Sequence, residues 1–197
     1  MKQMPTLRTH RLELRPFTLA DAPEVQRLAG ERAIADTTAN IPHPYEDGIA
    51  EAWITSHQEA FERGTLVSLA IVDSKANTLI GAVSLMNISA KHSRGELGYW
   101  IGTPYWNKGF CTEAARCIVN YGFNTLKLNR IHGCFMTRNP GSRRVMEKLG
   151  MQEEGCLRKH DTKWDQHEDI MLFGILRNEW EEIEHIPPGG RGEAPRP

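Results

Sequence analysis

Polar and apolar positions alternate first in "RLELRPFT" (Arg11 to Thr18), where Leu12 and Leu14 share one side, the period of a half-buried strand. The period then lengthens. Asp21 stands as an N-cap before "APEVQRLAGE", whose Val25 and Leu28 share a face and whose Gly30 lies near the end of a short helix. "NIPHPYED" is an ordered loop, because Pro42 and Pro44 remove donors and hold their predecessors extended. Helical spacing returns in "GIAEAWITSHQEAFERG" through Ile49, Trp53, Ile54 and Phe61. From Leu66 three strands follow, "LVSLAIVD", "TLIGAVSLMNIS" and "RGELGYWIG", whose short polar links "SKAN" and "AKHS" predict an antiparallel meander.

The second half interleaves helices with strands. "TEAARCIVNYGFNTL" buries Ala115, Ile118, Val119, Gly122, Phe123 and Leu126, "RIHGCFM" reads as a buried strand, and "NPGSRRVMEKLGM" reads as a helix capped by Asn139 and ended by Gly150. Two more strands, "QEEGCLRKH" and "HEDIMLFGIL", flank the polar turn "DTKWDQ". The tail, residues 187–197, is rich in Pro, Gly and charge and is expected to be disordered. The class is therefore a mixed α/β or α+β sheet.

Composition narrows the function. A chain of 197 residues fits one domain with a tail, and its 24 basic and 25 acidic residues nearly cancel, removing the overall pull that non-specific nucleic-acid binding uses. No apolar run reaches the roughly 20 residues of a membrane span, so a soluble, cytoplasmic protein is expected, with no nucleic-acid or membrane partner. Cys111, Cys117, Cys134 and Cys156 form no CxxC pair, and His160 and His167 flank a turn without a completing carboxylate cluster, so no metal site is expected.

The candidate chemistry centres on "YWNKGFCTEAAR". A strand turning into a helix through Asn107, Lys108, Gly109, Phe110, Cys111 and Thr112 leaves several N–H groups free at the positive end of the helix dipole, which suits a phosphate. Gly109 permits close approach and Lys108 adds charge at the rim. The stretch is neither a P-loop nor a dinucleotide fingerprint, and taken alone it is better explained as an ordinary strand-to-helix turn. Glu96, on the preceding apolar strand, is a candidate general base of raised pKa; otherwise it points outward or pairs with Arg94 or Lys91. Asn139 and Ser142 read as a helix cap, with Ser142 a donor to a leaving group if that helix start faces the same cleft. Tyr105 and Trp106 serve as rim packing, and His43 and Tyr45 line a substrate pocket or simply sit on the surface.

Several of these blocks together, "YWNKGFCTEA", "NRIHGCFMTRNPGSRRVMEKLGM", "ILRNEW" and the opening "LRTHRLELRPFTLADAPEVQRL", resemble the GNAT superfamily of acyl-coenzyme A-dependent N-acetyltransferases, in particular its ribosomal-protein N-terminal acetyltransferase branch. The resemblance runs from about Leu7 to Trp180, one N-acetyltransferase domain over residues 7–180. It implies a central, mostly antiparallel twisted sheet of about seven strands flanked by helices.

It further implies acetyl-coenzyme A as co-substrate, a primary amine as acceptor and a homodimer as an available assembly. The strand at Trp100 and Ile101 would pair with the pantetheine arm, an amide near Ile101 holding the oxyanion, while Asn107 to Thr112 hold the pyrophosphate and Asn139 meets the cofactor arm. Trp106 and Cys111 depart from the family's pyrophosphate turn, and Met146 stands where many members carry a proton-donating Tyr. Ser142 then takes the acid role and Glu96 the base role by resemblance, with Cys111 a small cradle residue of lowered thiol pKa. Three functional readings follow: transfer to a protein N-terminal amine, transfer to a small amine such as a polyamine or antibiotic, and a non-catalytic acyl-coenzyme A-binding protein.

Overall fold

A computed structural model describes residues 3–185. The chain runs β1 (Leu7–Arg8), β2 (Leu12–Pro16), α1 (Ala22–Ala29), α2 (Arg32–Ala35), α3 (Ile49–Glu62), β3 (Val67–Asp73), β4 (Thr78–Ser89), β5 (Arg94–Ile101), α4 (Phe110–Asn124), β6 (Arg130–Met136), α5 (Pro140–Lys148), β7 (Gln152–Lys163), β8 (Gln166–Leu176) and α6 (Arg177–His185). One eight-stranded sheet has the order β1-β2-β3-β4-β5-β6-β8-β7. Every neighbouring pair is antiparallel except β5 with β6, which α4 joins as the crossover a parallel pair requires. The expected tail lies outside the described residues.

Strand alternation sorts the sheet into two faces. Leu69, Ile71, Val83, Leu85 and Leu97 pack with Ile118, Val119 and Phe123 of α4 and with Trp180 in the larger core. Ile118 and Val119 are fully buried, each contributing about 1.5–3 kcal/mol of apolar transfer. The opposite face, through Ala70, Val72 and Leu79, packs on α1 and α3 in a smaller cluster.

Three elements differ from the sequence expectation. The two-residue β1 adds a strand to the sheet. The hairpin β7–β8 extends through Asp161–Lys163, because Trp164 and Asp165 both take positive φ, 51° and 61°, and close the tight two-residue turn that a twisted hairpin favours. Asp21 precedes α1 but does not cap it. Its carboxylate instead turns back to Arg15, at 2.8 and 2.7 Å, and to the Thr18 N–H at 2.8 Å.

The feature that positions the site is a parting of the sheet. Strands β5 and β6 pair only through Arg94↔Arg130, Gly95↔Ile131 and Glu96↔His132. Beyond Glu96, β5 stays on β4 as far as Ile101, and β6 stays on β8 as far as Met136. An open seam lies between them.

Candidate active site

At the top of the seam the chain turns from β5 into α4. Asn107 and Gly109 adopt left-handed φ, 59° and 80°, and Gly109 is the N-cap, so no side chain satisfies the first N–H groups of the helix. Trp106 donates its indole N–H to the Ile101 carbonyl at 2.6 Å and closes the turn onto the strand end, a role its place in the sequence did not suggest. The helix start is held from outside. Glu113 accepts from Thr9 Oγ1 at 2.6 Å, from the Arg11 N–H at 3.0 Å and from Arg11 Nε at 2.7 Å, and Arg11 Nη1 reaches the Lys108 carbonyl at 3.0 Å. Neither Arg11 nor Glu113 was singled out from the sequence, since the partners stand about a hundred residues apart.

This turn lines a cavity of about 410 Å³, with Ile101, Asn107, Gly109, Phe110, Cys111 and Thr112 on one wall and the start of α5 on the other. Lys108 is absent from the lining. Its ammonium lies 5.7 Å from the Tyr105 ring centroid, and the basic groups that do line the cavity are Arg144 and Lys148 of α5. Cys111 also departs from expectation. Burial pushes its thiol up to about 12, so desolvation outweighs the helix dipole and the group is a neutral packing element.

Along the seam β5 offers backbone groups to this cavity. The Gly102 N–H donates to the Ile80 carbonyl, so strand alternation points the even-numbered N–H groups of β5 toward β4 and those of Tyr99 and Ile101 toward the open edge. Trp100 therefore turns its backbone N–H toward β4 and away from the open edge, while Ile101 offers its own to that edge. The Tyr99 hydroxyl donates to the Ser142 carbonyl at 3.3 Å, tying the seam edge to α5, and burial pushes that phenol far above its ordinary value.

Asn139 caps α5. Its Oδ1 accepts from the Ser142 N–H at 3.0 Å, and its Nδ2 donates to Ser142 Oγ at 3.1 Å and to the Thr37 carbonyl at 3.1 Å. Both amide hydrogens are thus committed within the protein, so Asn139 acts here as a positioning group. Met146 is buried against Gly133 and carries no proton.

A second cavity, about 590 Å³, opens on the other face of the sheet beneath α3 and meets the first at Thr37, Thr38, Tyr99, Trp100 and Ser142. Tyr45, Trp53 and Trp100 supply aromatic wall, and Glu96 and Asp161 are its charged residues. Glu96 sits at the foot of the seam. It accepts from Asn87 Nδ2 at 2.8 Å and lies 4.0 Å from His132 Nε2, rather than pairing with Arg94 or Lys91. Burial pulls His132 below the ordinary histidine value, which leaves Glu96 beside a neutral ring near pH 7.

His43 does not line this cavity. Its Nδ1 donates to the Gly30 carbonyl at 2.9 Å and its ring meets Trp164 edge-on, so it anchors the loop that carries Tyr45. The same loop is fastened from the β7–β8 tip, where Lys163 Nζ donates to the Ile41 carbonyl at 2.9 Å and Trp164 Nε1 to Asp36 at 2.6 Å. Thr37 and Thr38, between these ties, form part of the boundary shared by both cavities.

An uncapped helix start beside a parted parallel pair, facing a second pocket across one boundary, matches a known domain. The sequence profile of the acetyltransferase (GNAT) domain fits residues 11–152. The chain belongs to the GNAT acetyltransferase family. This GNAT chain is 30% identical to p20, an uncharacterised N-acetyltransferase of Bacillus licheniformis, over 90% of its own length and 99% of that protein. The ribosomal-protein-S5-alanine acetyltransferase of Vibrio fischeri superposes with a TM-score of 0.78 at 22% identity, covering 89% of this chain and 98% of that one. A spermidine N-acetyltransferase of Vibrio cholerae, solved with coenzyme A and spermine, superposes with a TM-score of 0.76 at 22% identity, covering 88% and 99%. The GNAT fold is therefore shown, as an α+β arrangement of a mixed, mostly antiparallel sheet with its helices, and the enzyme class is N-acetyltransferase.

Proposed function

We propose that the protein transfers the acetyl group of acetyl-coenzyme A to a primary amine carried on an acceptor without a carboxylate. The observation that carries this reading is the meeting of two oppositely equipped cavities at Tyr99, Trp100 and Ser142. One has the free N–H groups of α4 with Arg144 and Lys148, which suits a pyrophosphate. The other has Glu96 and Asp161 and, among the described residues, no lysine or arginine, which suits an ammonium and leaves an acceptor carboxylate unpaired.

In this reading the pantetheine arm lies along the open edge of β5. The Tyr99 and Ile101 N–H groups face it, and the Ile101 amide stabilises the oxyanion as the amine attacks the thioester carbon. Glu96, directly or through water, takes the proton that makes the amine a nucleophile. The carbon–sulfur bond breaks as the intermediate collapses; Ser142 Oγ, its lone pair engaged by Asn139, gives its hydrogen to the departing thiolate and recovers one from the nitrogen, which loses its second proton as the amide forms. No acyl-enzyme is required.

A protein N-terminal amine remains a second reading, favoured by the relatives named for ribosomal-protein acetylation, such as the ribosomal-protein-serine acetyltransferase of Escherichia coli. Thiol release measured with alkylamines, polyamines and short peptides, after calorimetry has established cofactor binding, tests the activity. Turnover with a carboxylate-free amine supports it. Binding without turnover on any amine overturns it in favour of a non-catalytic acyl-coenzyme A-binding protein.

A further inference from the structure

The cavity assigned above to the acceptor has a polar floor and roof that acetyl transfer does not use. Its floor is a row of small residues across three strands: Ser68 pairs with Ser84, and Ser84 pairs with Gly98. Ser84 Oγ donates to Ser68 Oγ at 2.9 Å, and the two serines are 8% and 1% exposed. Leu or Val at these positions would fill the space with core. The two hydroxyls keep it polar, and the missing side chain at Gly98 makes room for the Met86 methyl, which stands too close to where a Cβ would lie for both to fit.

His57 of α3 lines the same cavity. The imidazole is 4% exposed, held edge-on to Trp53 with centroids 4.4 Å apart and tilted against Phe17 at 5.6 Å. Both ring nitrogens are buried without a hydrogen-bond partner, the only ring among the described residues left so at both positions. A neutral imidazole carries one donor and one acceptor, and leaving both unmade costs free energy. A group that enters the cavity and reaches one of these nitrogens recovers part of that cost.

We infer that His57, with the Ser68–Ser84 pair, recognises an uncharged hydrogen-bonding group, a hydroxyl or carboxamide, borne by the acceptor at the end of a short apolar spacer from its reactive amine. The inference rests on the reading of this cavity as the acceptor site. Charge selects the class of group. Burial lowers His57 to about 4, and the desolvation that keeps this ring neutral penalises a second ammonium at the same place. An anion finds no cation there either, since among the described residues the charged ones lining the cavity are Glu96 and Asp161. A hydroxyl pairs with either kind of imidazole nitrogen, donating to one that is bare or accepting from one that is protonated, and has its other hydrogen-bonding capacity left for the serines. The aromatic walls at Trp53 and Trp100 suit the spacer.

The test compares straight-chain ω-amino alcohols with alkylamines of equal length, which differ only in the terminal hydroxyl. Calorimetric affinity is measured on the full chain saturated with coenzyme A, and initial rates of thiol release on the chain with acetyl-coenzyme A. Roughly tenfold preference for the amino alcohol at the best length is expected, the effect of one recovered hydrogen-bonding site. In His57→Phe, which preserves the ring contacts, the ratio should fall to near one. Ser68→Ala, a smaller change less exposed to folding failure, should reduce it in the same direction. Equal affinity for the two series at every length, binding of neither, or a preference that survives both substitutions overturns the assignment. Discrimination by calorimetry without thiol release from any amine would sink the acetyl-transfer reading while leaving the recognition site standing.

Discussion

The Asn139 carboxamide grips Ser142 at two points, accepting from its backbone N–H at 3.0 Å and donating to its hydroxyl at 3.1 Å. The backbone bond fixes which way the amide faces, so the amide hydrogen must meet the Ser142 lone pair and the hydroxyl hydrogen is turned elsewhere. Ser142→Ala should lower kcat by about 10–100-fold with a smaller change in the cofactor KM, as loss of a group acting on the leaving thiolate requires. Asn139→Ala should lower kcat and also cost about 1 kcal/mol of stability through the lost cap. Steady-state kinetics with thermal melts separates the two effects.

Cofactor affinity should depend on the basic residues of α5 rather than on the lysine of the turn. Arg144→Ala and Lys148→Ala should each weaken coenzyme A binding severalfold and flatten its salt dependence, because both side chains line the cavity at the α4 start. Lys108→Ala, whose ammonium lies against Tyr105, should have less effect than either. Calorimetry at two ionic strengths checks the order.

Glu113→Gln should loosen the turn without touching the chemistry. The carboxylate holds Thr9 and Arg11 through charge-assisted bonds, and its loss should cost about 1–2 kcal/mol and raise the cofactor KM with kcat nearly unchanged. A fall in kcat with KM constant would count against this.

Stability should carry a histidine signature in acid. With His57 near 4 in the folded chain and near 6.5 when unfolded, the unfolded state binds the extra proton between those values. The contribution is complete above about pH 6.5 and is lost as pH falls toward 4, on the order of 2–3 kcal/mol. His57→Phe should remove that slope, read as the difference between the two denaturation curves across pH 4–7.

Cys111 should be chemically quiet. Alkylation at pH 8 should modify the exposed Cys156 before it, and Cys111→Ala should retain turnover, excluding an obligatory cysteine intermediate. Peptide mapping after timed labelling reports the first outcome.

Much of the fold was legible because its elements announce themselves locally. The alternation through Leu12 and Leu14, the meander from Val67 to Ile101 and the cap at Asn139 are all written in neighbouring residues. The turn at Asn107 to Thr112 was legible for the same reason. What was not legible depends on distant partners. Lys108 looked like the cation of the site until its stem folded onto Tyr105, and His43 looked like a pocket residue until Gly30 claimed its ring nitrogen. Cys111 was misjudged because a helix start suggests an acidic thiol, whereas burial decided the outcome. His57 left a faint trace. It stands three residues after Ile54 and four before Phe61 on the inward side of α3, where a polar residue is out of place.

The parted seam gives the molecule a division of labour. In the proposed reading, grip on the donor uses main-chain amides at the β5 edge and at the head of α4, which almost any residue can supply, together with Arg144 and Lys148. In the same reading, discrimination among acceptors falls to side chains on the far face, at His57, Ser68, Ser84 and Trp53. Substitution on that far face can therefore redirect the enzyme to a different amine while the apparatus that presents the acetyl group stays as it is.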